Sequence, residues 1–339
     1  MINIFVPKIN GISLNIINSD IIDSLSKIYS VETCFWTKAS LQNYDLLIQH
    51  YSANPKKYKF KSNKKILIQP VDGTLIDPKH VEDIDQYDLI ITPATSNKKI
   101  LEDSGIKSDK IKIIPNYWSD EILINNNFYD QKFKSDKYTF YTETTGIRRK
   151  NVKNLIKYFI ETFTNNDGVR LIVKLSGIRQ SVFSDIRSIL SEYDKVPEII
   201  FINEFLDIND LYSIMNSINC YICLSYMEGF CMPLLNAAVL KKDIITFNSN
   251  ISGYTDFLDH ENAILLTVNK IPIDQKGESI LIYSKESEWE EPDYNDYKGA
   301  LIDCYKGSYK FNKNHDFSRF SKEVVMNQYL EVVKNILEK

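Results

Sequence analysis

Short apolar runs of strand length alternate with stretches of helical spacing, and the alternation runs through the chain twice. In the first series the runs are Ile2–Val6, Leu46–Ile48, Lys65–Ile68, Leu89–Thr92 and Lys112–Ile114. Helical patterns fall between several of them, at Asp20–Ile28 and Asn97–Ser104, with Gly105 placed to stop the latter. The second series begins at Tyr138–Tyr141 and continues with an amphipathic helix at Asn151–Thr164, whose Leu155, Tyr158, Phe159 and Phe163 share one face. It proceeds through Arg170–Leu175 (strand), Phe183–Tyr193 (helix), Glu198–Ile202 (strand), Leu206–Met215 (helix), Cys220–Leu224 (strand), Pro233–Leu240 (helix) and Ile244–Phe247 (strand). Alternation of this kind specifies a parallel sheet with helices on both faces. The chain has 339 residues, which suits two such α/β domains of roughly 150 residues each. The expected division is 1–125 and 135–310, with a polar joint over Asn116–Ser135 that includes Asn125–Asn127. A last amphipathic helix is expected at Ser318–Leu337.

Composition narrows the function classes. The chain is 43% hydrophobic and 25% charged, as ordinary globular proteins are. Its net charge of −4 argues against a nucleic-acid partner. No run approaches the ~18 apolar residues that span a bilayer. Met1–Pro7 lacks a basic leader and reads as a first buried strand. Five cysteines, Cys34, Cys220, Cys223, Cys231 and Cys304, form an odd set, so reduced thiols and a cytoplasmic location are expected. Cys220 and Cys223 have the spacing of a metal pair. They lie within an apolar strand pattern and have no second Cys/His pair nearby, so they read as small core residues.

The segment with most chemical content is Ser225-Tyr-Met-Glu-Gly-Phe-Cys-Met-Pro-Leu-Leu-Asn236. It joins a strand to a helix, and this edge of an open α/β sheet is where ligands bind. Pro233 suits an early helical position, and free N–H groups at a helix start favour an anion. Glu228-Gly-Phe, Pro233-Leu and Ala237-Ala together resemble the donor-site signature of retaining GT-B glycosyltransferases of family 4, the glycosyl transferases of group 1. Further segments agree: Ile147-Arg-Arg-Lys-Asn-Val-Lys-Asn-Leu155 resembles the family's basic loop, Leu171–Lys174 its next strand, Asp210–Asn219 the helix before the signature, Ile251–Phe257 the loop after it, and Ile113–Asn116 the end of the N-terminal domain. The likeness is specific over Tyr138–Leu266 and weak over 1–90.

The resemblance implies a GT-B fold of two Rossmann-like domains facing across a cleft, the N-terminal one binding the acceptor and the C-terminal one the nucleotide sugar. The helix at 318–339 would pack back on the N-terminal domain. It implies sugar transfer from a nucleoside-diphosphate sugar to an acceptor hydroxyl, with retention and without a metal ion or other cofactor. Glu228 matches the residue that contacts the donor sugar. Asn236 stands where the family has a second acidic residue on the ribose; an amide still bonds two hydroxyls. Arg149 and Lys150 match the diphosphate-binding loop, and Lys174 is a further candidate; fixed cations there stabilise the leaving group. Ser225, Gly229 and Phe230 fall where backbone and hydroxyl cradle phosphate. Cys231 replaces the second glycine of Gly-Phe-Gly, and Lys241-Lys242 replaces a common Gly-x-Pro. The implied acceptor is a glycan, a lipid-linked precursor or another hydroxyl compound in polysaccharide biosynthesis. Lipid-linked acceptors would bring peripheral membrane contact, though no strong basic amphipathic helix demands it.

In the first half Asp72, in Gln69-Pro-Val-Asp-Gly73, is the candidate to orient or deprotonate the acceptor. Asp-Gly is also a common turn pair, so a turn role competes. His50, after a strand, is either a cleft residue or a loop residue. Arg148–Lys150 read blandly as a solvated charge run before a helix. Asp83-Ile-Asp85 has the form of a metal-binding Asp-x-Asp but lies in an acidic helical stretch and reads as surface. No P-loop, dinucleotide fingerprint or nucleophile elbow is present. Two other readings stand: a different GT-B sugar-nucleotide enzyme, or a degenerate GT-B binding protein, the latter motivated by Asn236 and Cys231.

Overall fold

The computed structural model describes residues 2–7, 12–33, 43–51, 61–123, 133–176, 180–273 and 282–338. Cys34 and Asn125–Asn127 lie outside the described residues.

The first sheet contains β1 (Asn3–Phe5), β2 (Ser30–Glu32), β3 (Asn43–His50), β4 (Lys61–Ile68), β5 (Leu89–Thr92) and β6 (Ile111–Ile113), all parallel, in the order β2-β1-β3-β4-β5-β6. The central strands are apolar towards both faces: Ile4, Phe5, Leu46, Leu47, Ile48, Ile66 and Leu67 are all buried. This is why continuous apolar runs, not alternation, marked them in the sequence. One face is covered by α1 (Ile12–Ser26) through Ile17, Ile21 and Leu25. The helices α2 (Pro78–Ile84) and α3 (Thr95–Asp103) follow β4 and β5. After α3 the chain turns at Gly105 with φ of 100°, a left-handed conformation that favours glycine.

The second sheet contains β7 (Tyr138–Thr145), β8 (Val169–Ser176), β9 (Glu198–Ile202), β10 (Cys220–Ile222), β11 (Asp243–Phe247) and β12 (Ile264–Leu266), again parallel. Its order, β12-β11-β10-β7-β8-β9, is that of a doubly wound dinucleotide-type sheet. The strand order reverses between β7 and β10, and a crevice opens at the carboxyl ends there. Helices α4 (Val152–Thr162), α5 (Gln180–Ser191), α6 (Ile208–Ser217) and α7 (Met232–Val239) make the crossovers. The Ile156 and Phe159 faces of α4 pack with Phe140 and Leu171 in one of two cores flanking this sheet.

Three differences from the sequence reading have local causes. β7 runs four residues beyond Tyr141, because Thr142–Thr145 pair in register with Val173–Ser176 although they carry no apolar signal. Between Leu266 and Ser318, where no element was expected, lie an antiparallel pair, β13 (Val268–Pro272) with β14 (Glu288–Pro292), and helix α8 (Tyr294–Lys306). The last helix, α9 (Lys322–Leu337), starts later than Ser318, because Ser321 is extended and caps it by accepting from Val324 N. Val325, Tyr329, Val332 and Val333 of α9 join Ile4, Val6 and Ile48 of the first sheet in one apolar cluster.

The two halves also meet through the segment before β14. Tyr283 bridges to Ile76, Ser284 N donates to Leu75 O, and the Trp289 indole donates to Asp72 O at 2.9 Å. A side chain on Gly73 would meet the Tyr283 ring at 2.6 Å, so this seam needs glycine.

Candidate active site

β10 ends at Ile222, and the chain from Cys223 to Cys231 passes over the switch point before α7 begins. In this loop Glu228 is buried at 6% exposure. Its backbone is held from outside the loop: Glu228 N donates to Ser252 Oγ at 3.1 Å, and Gly253 N donates to Glu228 O at 2.8 Å. The approach is close enough that a Cβ on Gly253 would lie 2.1 Å from Gly229 O. Asn97 on α3 ties the loop to the first half. Its amide donates to Gly229 O at 3.0 Å while its Oδ1 accepts from Val71 N at 2.8 Å. Phe230 is a core anchor, packed against Phe257 and Phe320 with centroids 5.1 and 6.0 Å apart.

The basic loop enters the same place from β7. A single 3-10 turn, Arg148–Lys150, ends at Asn151, whose left-handed φ of 52° starts α4. Asparagine tolerates that conformation better than most residues. Tyr226 N donates to Arg149 O at 2.8 Å, locking this turn to the Glu228 loop. Lys150 Nζ lies 2.5 Å from Glu228 Oε1. Arg149 lies 3.5 Å from Glu228 Oε2 and 3.3 Å from Asp72 Oδ2, and also donates to Met227 O. Two carboxylates and two cations, from both halves of the molecule, therefore form one buried cluster. A solvated charge run does not describe Arg149 and Lys150: Arg149 is buried and Lys150 half-buried.

Electrostatics follow from that packing. Burial alone would raise the Glu228 carboxyl, but Lys150, Arg149 and a hydrogen bond from Ser225 pull it down to about 2. Burial would likewise weaken the two cations; Asp72 and Glu228 hold Arg149, and Glu228 holds Lys150, above their ordinary values. The cluster is charge-balanced in the absence of substrate.

Other sequence candidates fall at different distances from it. Ser225 is buried and bonds Glu228. Gly229 approaches Pro70 of the first half and holds Asn97. Asn236 on α7 faces a cavity of ≈ 290 Å³ between the halves, not the ion cluster. Lys174 is buried on β8, and its ammonium donates to Leu175 O and Ser176 Oγ, with burial lowering its pKa. It stands beside Glu143 of β7 in register. His50 is buried at the end of β3, and burial pulls its pKa down to about 4, so its ring is neutral. Asp85, of the Asp-x-Asp stretch, is exposed and pairs with Lys110 at 2.8 Å.

The cysteine spacing resolves as core packing. Cys220 and Cys223 point apart: Cys220 Sγ contacts Cys304 Sγ at 3.9 Å, and Cys223 Sγ contacts Cys231 Sγ at 3.9 Å. Among the described residues, Cys223, Cys231 and Glu228 have ligand atoms within 4.8 Å of one another, the one grouping with metal-ligand chemistry. Cys231 has φ of 69° and Lys241 φ of 58°, so both hold glycine-like backbone where the family pattern has glycine.

The sequence reading did not single out Tyr51, Asn97, Glu143 or Tyr283. Tyr51 has a left-handed φ of 59° and stands exposed just past β3. Tyr283 OH accepts from Asp72 N. A tyrosine just past a strand carries no spacing signal, and these contacts bridge residues far apart in sequence.

Residues 124–298 match the model of the family described as Glycosyl transferases group 1, which is more than half of the 339 residues. Solved structures share the whole architecture at low identity. Sucrose-phosphate synthase from Thermosynechococcus elongatus superposes with a TM-score of 0.74 at 11% identity over 100% of both chains. A glycosyltransferase from Rickettsia africae gives 0.71 at 12% identity, over 100% of this chain and 99% of that one. HepE from Anabaena, solved with UDP and glucose, gives 0.69 at 11% identity, over 98% and 99%. No curated protein sequence matches the chain. The fold is GT-B, and the chain belongs to the group 1 glycosyl transferases.

Proposed function

We propose that this glycosyltransferase takes its sugar from a nucleoside-diphosphate sugar, passes it to an acceptor hydroxyl with retention of anomeric configuration, and needs no metal ion. The observation that carries this reading is the buried Arg149–Lys150–Glu228–Asp72 cluster at the switch point. As the bond from the anomeric carbon to the diphosphate breaks, the electron pair goes to a diphosphate oxygen. Arg149 and Lys150 are placed to receive that charge, in a buried setting where fixed cations act strongly. They supply the positive charge that a metal ion supplies in other transferases. Glu228 accepts from donor-sugar hydroxyls, and its low pKa keeps it ionised for that task. Ser225 and the backbone around Gly229 and Phe230 border the phosphates, and Lys174 adds positive potential one strand over. Asn236 reaches the ribose. Asp72, from the first half, orients the acceptor hydroxyl and takes its proton.

HepE has been solved with UDP and glucose, and another solved relative in fold is a lipopolysaccharide outer-core galactosyltransferase. These support a uridine nucleotide and a glycan or lipid-linked acceptor here. No described helix is long and apolar enough to cross a membrane. Proton NMR of the first-formed product tests retention: an anomeric configuration matching the donor is expected, and the inverted one contradicts it. Lys150→Ala should weaken UDP binding by about tenfold or more; unaltered UDP affinity refutes its diphosphate role.

A further inference from the structure

The loop that carries Glu228 has a cysteine at each end. Cys223 follows the last residue of β10 and is buried; Cys231 precedes α7 and is partly exposed. Their sulfurs lie 3.9 Å apart, and a carboxylate oxygen of Glu228 lies within 4.8 Å of both. The sulfur separation is close to one edge of a tetrahedral zinc site, since two Zn–S bonds of ~2.3 Å at the tetrahedral angle put the sulfurs about 3.8 Å apart. Bringing the carboxylate oxygen to the ~2 Å of a Zn–O bond takes about an ångström of side-chain movement. The second cysteine pair is the internal contrast. Cys220 and Cys304 have the same 3.9 Å separation, yet both are buried. Among the described residues no His, Asp or Glu joins them in a metal-ligand grouping.

We propose that Cys223, Cys231 and Glu228 bind a thiophilic divalent cation, Zn2+, and that the bound ion shuts the donor site. Two thiolates and a carboxylate favour zinc over Mg2+ or Ca2+, which take six or more oxygen ligands. Water completes the fourth position. Charge permits the ion to enter. The two thiols lose their protons to solvent as two S–Zn bonds form, so a dication replaces two protons and the buried cluster of Arg149, Lys150, Glu228 and Asp72 keeps its balance. Lys150, 2.5 Å from Glu228 Oε1, stays in place, because a carboxylate has lone pairs beyond the one that this bond uses. Cys231 holds its left-handed φ of 69° at a cost that glycine would not incur, and its side chain there meets Cys223. Position makes the ion an inhibitor and not a cofactor of transfer: a carboxylate held by zinc no longer accepts from donor-sugar hydroxyls. That half of the inference rests on the role given to Glu228 above.

The test titrates Co2+ and Zn2+ into the full chain, reduced with a phosphine and freed of metal, for wild type, Cys223→Ser, Cys231→Gly, Cys34→Ser and Cys304→Ser. Wild type should give the intense visible bands of tetrahedral cobalt together with a thiolate charge-transfer band, and should release about two protons for each zinc bound. Cys223→Ser and Cys231→Gly should bind zinc about a hundredfold more weakly, while Cys34→Ser and Cys304→Ser bind it as wild type does. Cys231→Gly restores a glycine-compatible backbone, so a poorly folded Cys223 variant does not remove the test. Zinc should lower wild-type affinity for a UDP-sugar by about tenfold or more and leave that of Cys231→Gly unchanged, a comparison that also corrects for zinc held by the free nucleotide. A cobalt spectrum without thiolate charge transfer, or zinc affinity unaltered in both the Cys223 and Cys231 variants, overturns the site. Zinc bound through the thiols with UDP-sugar affinity unaltered overturns the inhibition. A wild type that gives the cobalt spectrum and binds no UDP-sugar, with or without zinc, overturns the nucleotide-sugar reading and leaves the metal site standing.

Discussion

The guanidinium of Arg149, carried just after the first strand of the second sheet, lies 3.3 Å from the carboxylate of Asp72, carried just after the fourth strand of the first. Both groups are largely buried, at 8% and 17% side-chain exposure. One ion pair therefore links the two halves of the molecule at the point where chemistry is expected. Breaking a buried pair by removing one partner costs about 3–5 kcal/mol. Asp72→Asn should sit at or below the bottom of that range, because Arg149 keeps Glu228 and Met227 O. Urea denaturation should show the loss, and turnover should fall further than donor affinity. Full stability and full turnover in Asp72→Asn would remove Asp72 from both roles.

Glu228 gives the protein an acid limit. Its folded pKa of about 2 lies below its ordinary 4.5, so its stabilisation is complete above pH 4.5 and is lost as pH falls from there through 2. The linked amount is about 3 kcal/mol. Wild-type stability should drop more steeply than that of Glu228→Gln across this window. Parallel curves for the two proteins would show that the carboxylate is not held as the ion cluster requires.

Gly253 is fixed by contact, not by φ. A methyl there would overlap Gly229 O and the Ala94 side chain, so Gly253→Ala must push the Glu228 loop off its support. Donor affinity and turnover should fall by tenfold or more. Gly299→Ala, at a position with open space around it, is the control and should change neither. Equal behaviour of the two variants would show that the close approach carries no function.

Cys231 pays for its left-handed backbone with a strain of order 1–2 kcal/mol. Cys231→Gly should relieve most of it, at the loss of the contact with Cys223 Sγ and of a small side chain packed against the neighbouring core. Chemical denaturation should show stability equal to wild type or higher by about 1 kcal/mol, with donor binding intact. A clear loss of donor binding would make the thiol itself part of the site.

Much of the fold was legible because parallel strands buried on both faces leave apolar runs, as Leu46–Ile48 and Lys65–Ile68 do. The Glu228 loop was legible because it joins a strand to a helix with a proline at the start. What escaped reading depends on partners distant in sequence. β14 is Glu-Trp-Glu-Glu-Pro, too polar to mark a strand, and Ser287 and Trp289 beside and within it are fixed by Asp72–Leu75. Asn97 looked like any polar residue opening a helix, yet it bonds both loops of the cleft. Glu143 broke the apolar pattern of β7 and hid that strand's true length. Cys231 and Lys241 read as departures from a glycine pattern, whereas their backbones keep the glycine conformation.

The most direct test of the account is the thermal stability of the purified protein with a panel of nucleoside diphosphates and nucleotide sugars, each with and without EDTA. A ligand at 100 times its dissociation constant adds about 2.7 kcal/mol. The account predicts a clear rise in Tm with UDP and a UDP-sugar, unchanged by EDTA and strongly reduced in Lys150→Ala. A Tm unmoved by every nucleotide, or a shift that EDTA abolishes, would contradict a donor site built from Arg149, Lys150 and Glu228.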